Sequence, residues 1–194
     1  GQALNALSFF FSNVLQHELG DLNGFARSRR PKRLPTVLSP QEVSALLDEL
    51  NGVHNLMASL LYGSGMRLME CIRLRVQDID FSYHQIHVRN GKGKKDRMVP
   101  LPHKLEAPLH EQLEKVRQLH EEDLADGFGE VFMPDALARK YPNAPKEWGW
   151  QYVFPADKVA VDPAYGKTRR YHVFDQCVQK AVRRAARRTG LVKH

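Results

Sequence analysis

The sequence has few cysteines and no long apolar run, and each absence narrows the class of protein. Its 194 residues include two cysteines, Cys71 and Cys177, each within an amphipathic helical pattern. We expect two buried free thiols in a reducing compartment rather than a disulfide. No apolar run approaches the roughly 18 residues of a membrane span, and no cleavage motif of a signal peptide is present. The sequence therefore predicts a cytoplasmic protein with no membrane partner.

The motifs of common metal and nucleotide sites are also missing. None of the nine histidines has the Cys/His spacing of a zinc site. His84 and His87 are three residues apart, but the pattern around them has the period of a strand. Gly91-Lys92-Gly93 lacks the downstream Lys-Ser/Thr of a phosphate-binding loop, and Walker, dinucleotide and nucleophile-elbow motifs are absent. We therefore expect neither a metal ion nor a cofactor.

Positive charge, by contrast, is plentiful and clustered. Lys and Arg number 29 against 22 acidic residues, giving a net charge of +7 and a pI near 9.5. One basic cluster occupies five of seven consecutive positions: Arg27, Arg29, Arg30, Lys32 and Arg33. Between Lys167 and Arg188 there are eight basic residues against one acid, Asp175. A solvated surface is the alternative, but clusters on separate elements favour a polyanionic partner such as nucleic acid.

The spacing of apolar residues and turn formers predicts a division into a short N-terminal part and one main domain. Residues 4–19 predict a helix with one apolar face, ended by glycine. Residues 26–36 are basic, contain two prolines and are typical of an interdomain linker. A lone helix before a linker suggests the last helix of a further domain. We therefore interpret residues 1–25 as such a remnant and residues 37–194 as the main domain.

Within the main domain the pattern is mostly helical. Ser39-Pro40-Gln41-Glu42 combines an N-cap, a proline at the first helical position and a capping box. Further segments are predicted as helices at 55–62, from near Met66, at 105–119, at 135–140 and at 174–185, and as strands at 85–89, 97–101 and 169–172. The outer side of the last helix is almost wholly Arg and Lys. The fold class expected is α+β, mainly α, with a small antiparallel β-hairpin sheet.

One segment could carry chemistry on phosphate. In Gly65-Met66-Arg67-Leu68-Met69-Glu70, a glycine turn delivers Arg67 to the start of a helix, and Glu70 follows one turn on. Helix-start amides and a guanidinium together can cradle a phosphate. Taken alone, the segment would more often be a surface ion pair between Arg67 and Glu70.

The segment is part of a longer pattern that resembles the tyrosine site-specific recombinase family. Gly-Met-Arg67-x-x-Glu70-x-x-x-Leu74, then Asp78-Ile79-Asp80, then residues 91–101 (GKGKKDRMVPL) match that family in order and spacing. A third block narrows the resemblance to integron integrases: residues 134–142 (PDALARKYP), Trp148-x-Trp150-x-x-Val153-Phe154-Pro155, Asp162-Pro163 and Arg169-Arg170-x-His172. In this interpretation residues 37–194 are a partial catalytic domain with an integron-type insertion at about 128–172. Residues 1–25 resemble the last helix of the N-terminal core-binding domain.

The resemblance implies roles for three residues. Arg67 would stabilise the non-bridging oxygens of the scissile phosphate. Lys92 would protonate the leaving 5′-oxygen, with Lys94 and Lys95 as alternatives, and Glu70 would orient the arginine or its helix. The family's chemistry proceeds through a 3′-phosphotyrosine intermediate without metal.

The resemblance also implies a surface that binds DNA, either duplex or a folded single-stranded recombination site. The residues that we predict to contact DNA are Arg29, Arg30, Lys32, Arg33, Lys94, Lys95, Trp148, Trp150, Arg169, Arg170, Tyr171 and His172. In integron integrases the insertion grips extruded bases, and aromatic rings suit that task because every base offers a stacking face. Alternating aromatics are, however, more often core than ligand-facing. Trp150 and His172 are the strongest candidates.

The chain departs from the family pattern at its C-terminal end. The His-x-x-Arg box and the tyrosine nucleophile of the family would follow the last residues, and the six tyrosines of this chain do not match the context of the nucleophile. We therefore expect a truncated catalytic domain that binds DNA without cutting it alone. By resemblance, the full-length bacterial enzyme would act as a tetramer on nucleoid DNA. The alternatives are a non-catalytic DNA-binding remnant or regulator, and an RNA-binding or structural module.

Overall fold

A computed structural model of the protein describes residues 2–17, 20, 37–89, 95–163 and 165–191. The chain divides into two compact units, residues 1–37 and residues 38–194. Among the described residues, no helix combines the length and the apolar character that crossing a membrane requires.

The described residues contain seven α-helices and five strands. The helices are α1 Gln2–Phe9, α2 Pro40–Asp48, α3 Gly52–Ser64, α4 Leu68–Ile72, α5 Glu106–Ala125, α6 Asp135–Lys140 and α7 Asp175–Arg188. The strands are β1 Ile79–Asp80, β2 Gln85–Val88, β3 Arg97–Pro100, β4 Pro155–Val161 and β5 Thr168–His172. Short 3₁₀ turns lie at Val76–Asp78, His103–Leu105, Ala144–Lys146 and Trp148–Trp150.

The first unit contains α1, which runs directly into a π-helical turn at Phe10–Val14. The regular part of the helix predicted over residues 4–19 therefore ends earlier than expected. The side-chain amide of Asn13 donates to the carbonyl of Phe9 at 3.1 Å, and the amide of Leu15 bonds five residues back to Phe10 at 3.1 Å. The predicted linker, residues 26–36, lies outside the described residues.

Helices α2, α3 and α7 meet around a small apolar cluster in the second unit. Helix α2 begins at the predicted capping box, in which the Ser39 amide donates to Glu42 at 2.7 Å and the Glu42 amide donates to the Ser39 hydroxyl at 3.2 Å. The side chains that fill the cluster are Leu46, Leu50, Ala58 and Ala185. Because Ala185 is small, α7 can approach α2 and α3 closely while its charged side chains remain in solvent.

The larger core lies beneath a three-stranded antiparallel sheet in the order β1-β2-β3. Ile86 pairs with Ile79 on one side and with Val99 on the other, and Val88 pairs with Arg97. Ile86, Val88 and Val99 are buried, as the period of two in the sequence requires. The predicted hairpin is confirmed, while β1 was not predicted because two residues carry too little periodicity to be recognised.

A second hairpin, β4–β5, follows the aromatic segment and packs in the region predicted as the insertion. Tyr152, Val153 and Phe154 are buried, so this end of the aromatic segment belongs to the core. The amide of Val153 donates to the carbonyl of Leu74 at 2.9 Å, and the amide of Val76 donates to Gln151 at 3.0 Å. These backbone bonds fix the aromatic segment along the stretch that follows α4.

The expected fold class is confirmed, and two further local predictions need correction. Helix α4 begins at Leu68 rather than near Met66, because Gly65 is left-handed (φ 66°) and Arg67 is extended. Cys71 is buried as expected, but Cys177 is exposed, since α7 buries Val178 and Ala185 instead. Strand β4 was not predicted, because its apolar residues do not alternate regularly.

Candidate functional site

The turn between α3 and α4 presents the arginine that the sequence singled out. Gly65 ends α3 with a positive φ of 66°, a conformation that suits glycine. Arg67 then takes the N-cap position of α4, and Glu70 lies in the first turn of that helix. The backbone amide of Arg67 donates to Oε2 of Glu70 at 2.7 Å. This contact fixes the direction in which Arg67 leaves the backbone.

Glu70 organises two arginines from different elements. Nη1 of Arg67 donates to Oε1 at 2.9 Å. Arg97, the first residue of β3, donates to both carboxylate oxygens, at 2.9 and 2.7 Å. The Glu70 side chain is only 9% exposed, while those of Arg97 and Arg67 are 34% and 56% exposed. The carboxylate thus lies behind the two guanidinium groups, and we call these three residues the Glu70 cluster.

The ionisation of Glu70 follows from these contacts. The side chain of Arg97 lowers the pKa of Glu70 most; burial opposes this, and the amide and side chain of Arg67 lower it further, to about 2. The carboxylate therefore stays charged well below neutral pH. With one negative and two positive charges, the cluster keeps a net positive charge toward solvent.

Such an arrangement can bind an anion and stabilise charge that develops on it. Arg67 is more than half exposed while one of its N–H groups is held by Glu70, so its orientation is limited without the group being covered. Arg97 was missed as a site residue by the sequence reasoning. Its position in the motif GKGKKDR, two residues after Lys95, was the signal that could have identified it.

Several predicted site residues lie outside the described residues. They are Lys92 and Lys94 of the β2–β3 segment and Arg29, Arg30, Lys32 and Arg33 of the predicted linker. Lys95 is described and exposed, and it precedes the strand that carries Arg97 into the Glu70 cluster. The roles of all these predicted lysines and arginines in binding or catalysis stay predictions.

The two tryptophans are half-buried in a 3₁₀ turn rather than alternating along a strand. The Arg117 guanidinium lies 4.7 Å from the ring centroid of Trp148. The backbone carbonyl of Trp150 accepts a hydrogen bond from Arg75, which also donates to the carbonyl of Phe132 at 2.8 Å. Arg75 thereby anchors the backbone of the turn and leaves the Trp150 ring out of that network.

Tyr171 and His172 lie on β5, next to the buried Tyr152. The His172 ring meets that of Tyr152 edge-on at 5.2 Å. Nδ1 of His172 lies 2.8 Å from the carbonyl of Val173. A carbonyl can only accept, so Nδ1 carries the proton and Nε2 remains an acceptor. The pKa of His172 is lowered, mainly because the ring is partly buried. The pKa of Tyr171 is raised to about 12, mainly by burial and next by its hydrogen bond with Asp162. Both rings are therefore neutral at pH 7.

Arg169 and Arg170, by contrast, bind internal carboxylates. Arg170 donates to both oxygens of Asp123, at 2.5 and 2.6 Å, and to the carbonyl of Ala156 at 2.8 Å. Arg169 donates to the buried Asp162 at 3.0 Å. The Arg170 and Asp123 side chains are 12% and 9% exposed. These contacts favour a structural role over the predicted contact with DNA.

A further basic residue near the site, Arg73, was not predicted from the sequence. Arg73 caps the C-terminal end of α4, one turn after Glu70, and is exposed. Its charge contributes to the low pKa of His172, so it lies within electrostatic reach of that ring. A further basic surface is the outer face of α7, whose exposed cations are Lys180, Arg183, Arg184, Arg187 and Arg188. Its amphipathic spacing was visible in the sequence.

Among the described residues, one group of side chains has the composition of a metal site. His84, His103 and Glu106 each offer a ligand atom, and these atoms lie within 4.8 Å of one another. None of the three belongs to the predicted site.

The chain is similar to recombinases in sequence and in fold. Residues 36–194 match the model of the phage integrase family. Two proteins named integrase/recombinase, from Escherichia coli and Pseudomonas aeruginosa, are each 46% identical over 192 residues, covering 99% of this chain and 57% of the relative. Tyrosine recombinase XerC of Chlamydia trachomatis is 34% identical over 124 residues, covering 58% of this chain and 39% of its own. The chain thus spans little more than half the length of its curated relatives.

Two crystal structures have a similar fold. The XerA recombinase superposes with a TM-score of 0.53 at 21% identity, over 98% of this chain and 54% of XerA. The XerH site-specific recombinase, bound to a palindromic difH substrate, gives a TM-score of 0.56 at 18% identity, over all of this chain and 48% of XerH. The family match over residues 36–194 gives the assignment: the chain belongs to the phage integrase family, the tyrosine recombinases.

Proposed function

We propose that the chain is a DNA-binding portion of a site-specific recombinase of the integron-integrase type. In the whole protein, this portion would help to cut and rejoin DNA through a 3′-phosphotyrosine intermediate. The observation that carries the proposal is the Glu70 cluster, in which a buried carboxylate holds two arginines and leaves Arg67 more than half exposed.

The role proposed for Arg67 rests on how it is held. Its backbone amide and one guanidinium N–H both bind Glu70, at 2.7 and 2.9 Å, so few rotamers remain open to it. An arginine that is oriented before the substrate arrives loses little conformational entropy when it binds a phosphate, and it need not reorganise as charge develops. Glu70 is therefore a positioning residue, and the two hydrogen bonds from Arg97 hold its carboxylate in place.

Lys92 is proposed to protonate the leaving 5′-oxygen, with Lys94 and Lys95 as alternatives. This assignment rests on the match of residues 91–101 to the family motif and on Arg97, which belongs to the same motif and contacts Glu70. The tyrosine nucleophile is not assigned to any residue of this chain. Residues 37–194 would be part of the catalytic domain, and residues 1–25 the last helix of the core-binding domain.

The integron type is proposed from the region at about 128–172. Its aromatic segment divides into two parts: Tyr152 and Phe154 are buried, while Trp148 and Trp150 are half-buried in a turn whose backbone Arg75 anchors. His172 is a neutral ring with an acceptor nitrogen, which suits stacking and hydrogen bonding to an extruded base. Trp150 and His172 are the residues that we propose to contact such a base.

The partner proposed is DNA, and the solved XerH complex contains a DNA substrate. For this chain, support comes from the exposed cations of α7 and from Arg73, which supply charge for phosphate contacts. Assembly of the whole protein as a tetramer on DNA is part of the same proposal.

Fluorescence anisotropy across a salt series tests the proposal. The labelled ligands are a folded single-stranded hairpin with extruded bases and the perfect duplex of the same sequence. We expect the hairpin to bind more tightly and to keep its advantage as salt rises, because stacking depends on salt less than phosphate contacts do. Trp150→Ala should remove the advantage, and Trp150→Phe should restore part of it.

Lys115→Ala is the matched control for a change of surface charge, since Lys115 is exposed on α5. It should leave the ratio of the two affinities unchanged. Equal affinities for hairpin and duplex that vanish together with salt would contradict the integron type and leave a non-specific basic surface. An RNA hairpin that competes as well as the DNA hairpin would contradict DNA as the partner.

A further inference from the structure

We propose that His84, His103 and Glu106 form a binding site for a divalent transition metal, with Zn²⁺ as the best fit. The proposal reaches beyond recombination, because none of these residues takes part in the site described above. It rests on three ligand side chains that come together from two segments of the second unit, the turn between β1 and β2 and the turn that leads into α5.

The three side chains meet at one carboxylate oxygen. Nδ1 of His84, from the turn between β1 and β2, lies 2.8 Å from Oε1 of Glu106. Nδ1 of His103, from the 3₁₀ turn before α5, lies 2.9 Å from the same oxygen. Both imidazole nitrogens thus lie against the same carboxylate oxygen, and the centroids of the two rings are 4.2 Å apart.

These separations are close to those that a metal requires. Zinc–nitrogen and zinc–oxygen bonds are about 2.0–2.2 Å, so the ligand atoms of a tetrahedral site are about 3.3 Å apart. The two nitrogen–oxygen distances, 2.8 and 2.9 Å, would need to lengthen by a few tenths of an ångström. All three ligand atoms lie within 4.8 Å of one another, so the two imidazoles would need to close around the ion. Two imidazoles and one carboxylate are a known zinc ligand set that leaves one coordination position for water.

The backbone holds His84 in an unusual conformation that supports the convergence. Its φ is +51°, in the left-handed region that few residues other than glycine adopt. The carbonyl of His84 accepts from the amide of Leu101 at 2.8 Å, which ties the turn to the segment leading into His103. A bound metal would add a second tie between the start of β2 and the start of α5.

The sequence does not predict this group. His84 and His87, three residues apart, lie in a segment with the period of a strand, which argues against a metal site formed by that pair. The structure pairs His84 with residues 19 and 22 positions later instead. His87 lies on β2 opposite Met98 and is therefore a matched control.

Calorimetric titration of the full chain with Zn²⁺, together with thermal melts, tests the proposal. The Cys177→Ser background removes an exposed thiol that would also bind zinc. We expect one Zn²⁺ per chain and, at a hundred times the Kd, an increase in Tm of about 5–10 °C. His84→Asn, His103→Gln and Glu106→Gln should each weaken binding by more than about tenfold. Asparagine suits position 84 because it tolerates a positive φ.

His87→Asn should bind zinc as the parent does. Binding that persists in all three ligand variants, or the absence of any zinc-dependent change in Tm, would overturn the proposal. If one ligand variant fails to fold, the other two decide the outcome, since each removes a different ligand. The DNA affinity of the parent without zinc is measured separately, so this result does not depend on the proposed function.

Discussion

Two carboxylates in this protein each hold an arginine through two hydrogen bonds, but the arginines differ in exposure. Asp123 binds Arg170, which also donates to the carbonyl of Ala156 and is 12% exposed. Glu70 binds Arg97 in the same two-bond manner and shares its charge with Arg67, which is 56% exposed. At Asp123, the guanidinium of Arg170 is surrounded by partners inside the protein. At Glu70, the carboxylate is the buried group, and the guanidinium of Arg67 is available to a ligand.

The difference shows that an arginine within a basic stretch of sequence can either form an internal ion pair or remain available to a ligand. Arg170 stabilises the contact between α5 and β5, because its donors are used inside the protein. Arg67 can use its remaining donors for a ligand. We therefore expect substitution of Asp123 to lower folding stability most, and substitution of Arg67 to change DNA binding while the fold is retained.

The largest expected effect is that of Asp123→Asn. It removes the carboxylate that accepts two hydrogen bonds from the largely buried Arg170, and the free energy of unfolding should fall by about 3–5 kcal/mol. Urea denaturation followed by circular dichroism measures this. The control is Glu111→Gln, which changes an exposed acid on α5. A loss of less than about 1 kcal/mol would mean that Arg170 is not held structurally, and the comparison would fail.

Trp150→Ala should have the next largest effect, on binding rather than on folding. Loss of one base-stacking partner is expected to weaken the bulged hairpin complex by about 1–3 kcal/mol and to leave duplex binding nearly unchanged. Anisotropy with both ligands measures the ratio. An equal loss for hairpin and duplex would contradict a role in gripping extruded bases, and a lowered Tm would identify Trp150 as core.

Glu70→Gln should lower the free energy of unfolding by about 1.5 kcal/mol at pH 7, the low end for hydrogen bonds to charged groups, because both arginines are partly exposed. The pKa of Glu70 is lowered from 4.5 to about 2 in the folded protein. Its contribution is therefore complete above pH 4.5 and is lost as pH falls toward 2. Denaturation of parent and variant at several pH values should show their difference shrinking across that window; a constant difference would contradict the pKa shift.

Arg67→Ala should produce the smallest change in overall affinity. One phosphate contact contributes about 0.9 to the slope of log K against log salt concentration, so the slope should decrease by about that amount. The fold should persist, because Glu70 retains Arg97. Lys115→Ala serves as the control for net charge. An unchanged slope would show that Arg67 does not contact phosphate.

Much of the fold could be predicted from the sequence, because its signals are local. The capping box at Ser39, the period of two around Ile86 and the glycine-ended helix before Arg67 each depend on neighbouring residues. Strand β4 lacked such a signal. The family was also accessible, since its motifs lie within short segments, and so was the position of Glu70 one turn after Arg67.

The ion pairs between residues far apart in the sequence could not be predicted. Asp123 lies 47 positions from Arg170, and Glu70 lies 27 from Arg97. No local period reports such contacts, so the sequence predicts Arg170 as a DNA contact and omits Arg97. For the same reason the sequence gives no sign that His84 lies next to His103. Only the packing of separate elements decides which of these charges are internal.

The most direct test of the central claim is a cycle that combines Arg67→Ala with neutral methylphosphonates placed one at a time along the hairpin. Suppose that Arg67 contacts one phosphate. Neutralising that phosphate in the Arg67→Ala variant should then cause no further loss of affinity, because the contact is already gone. At every other phosphate the two losses should add, as they should everywhere for Lys115→Ala. The account predicts one such position. Additive losses at all positions would contradict it, and the Glu70 cluster would then be a structural ion pair like that of Asp123.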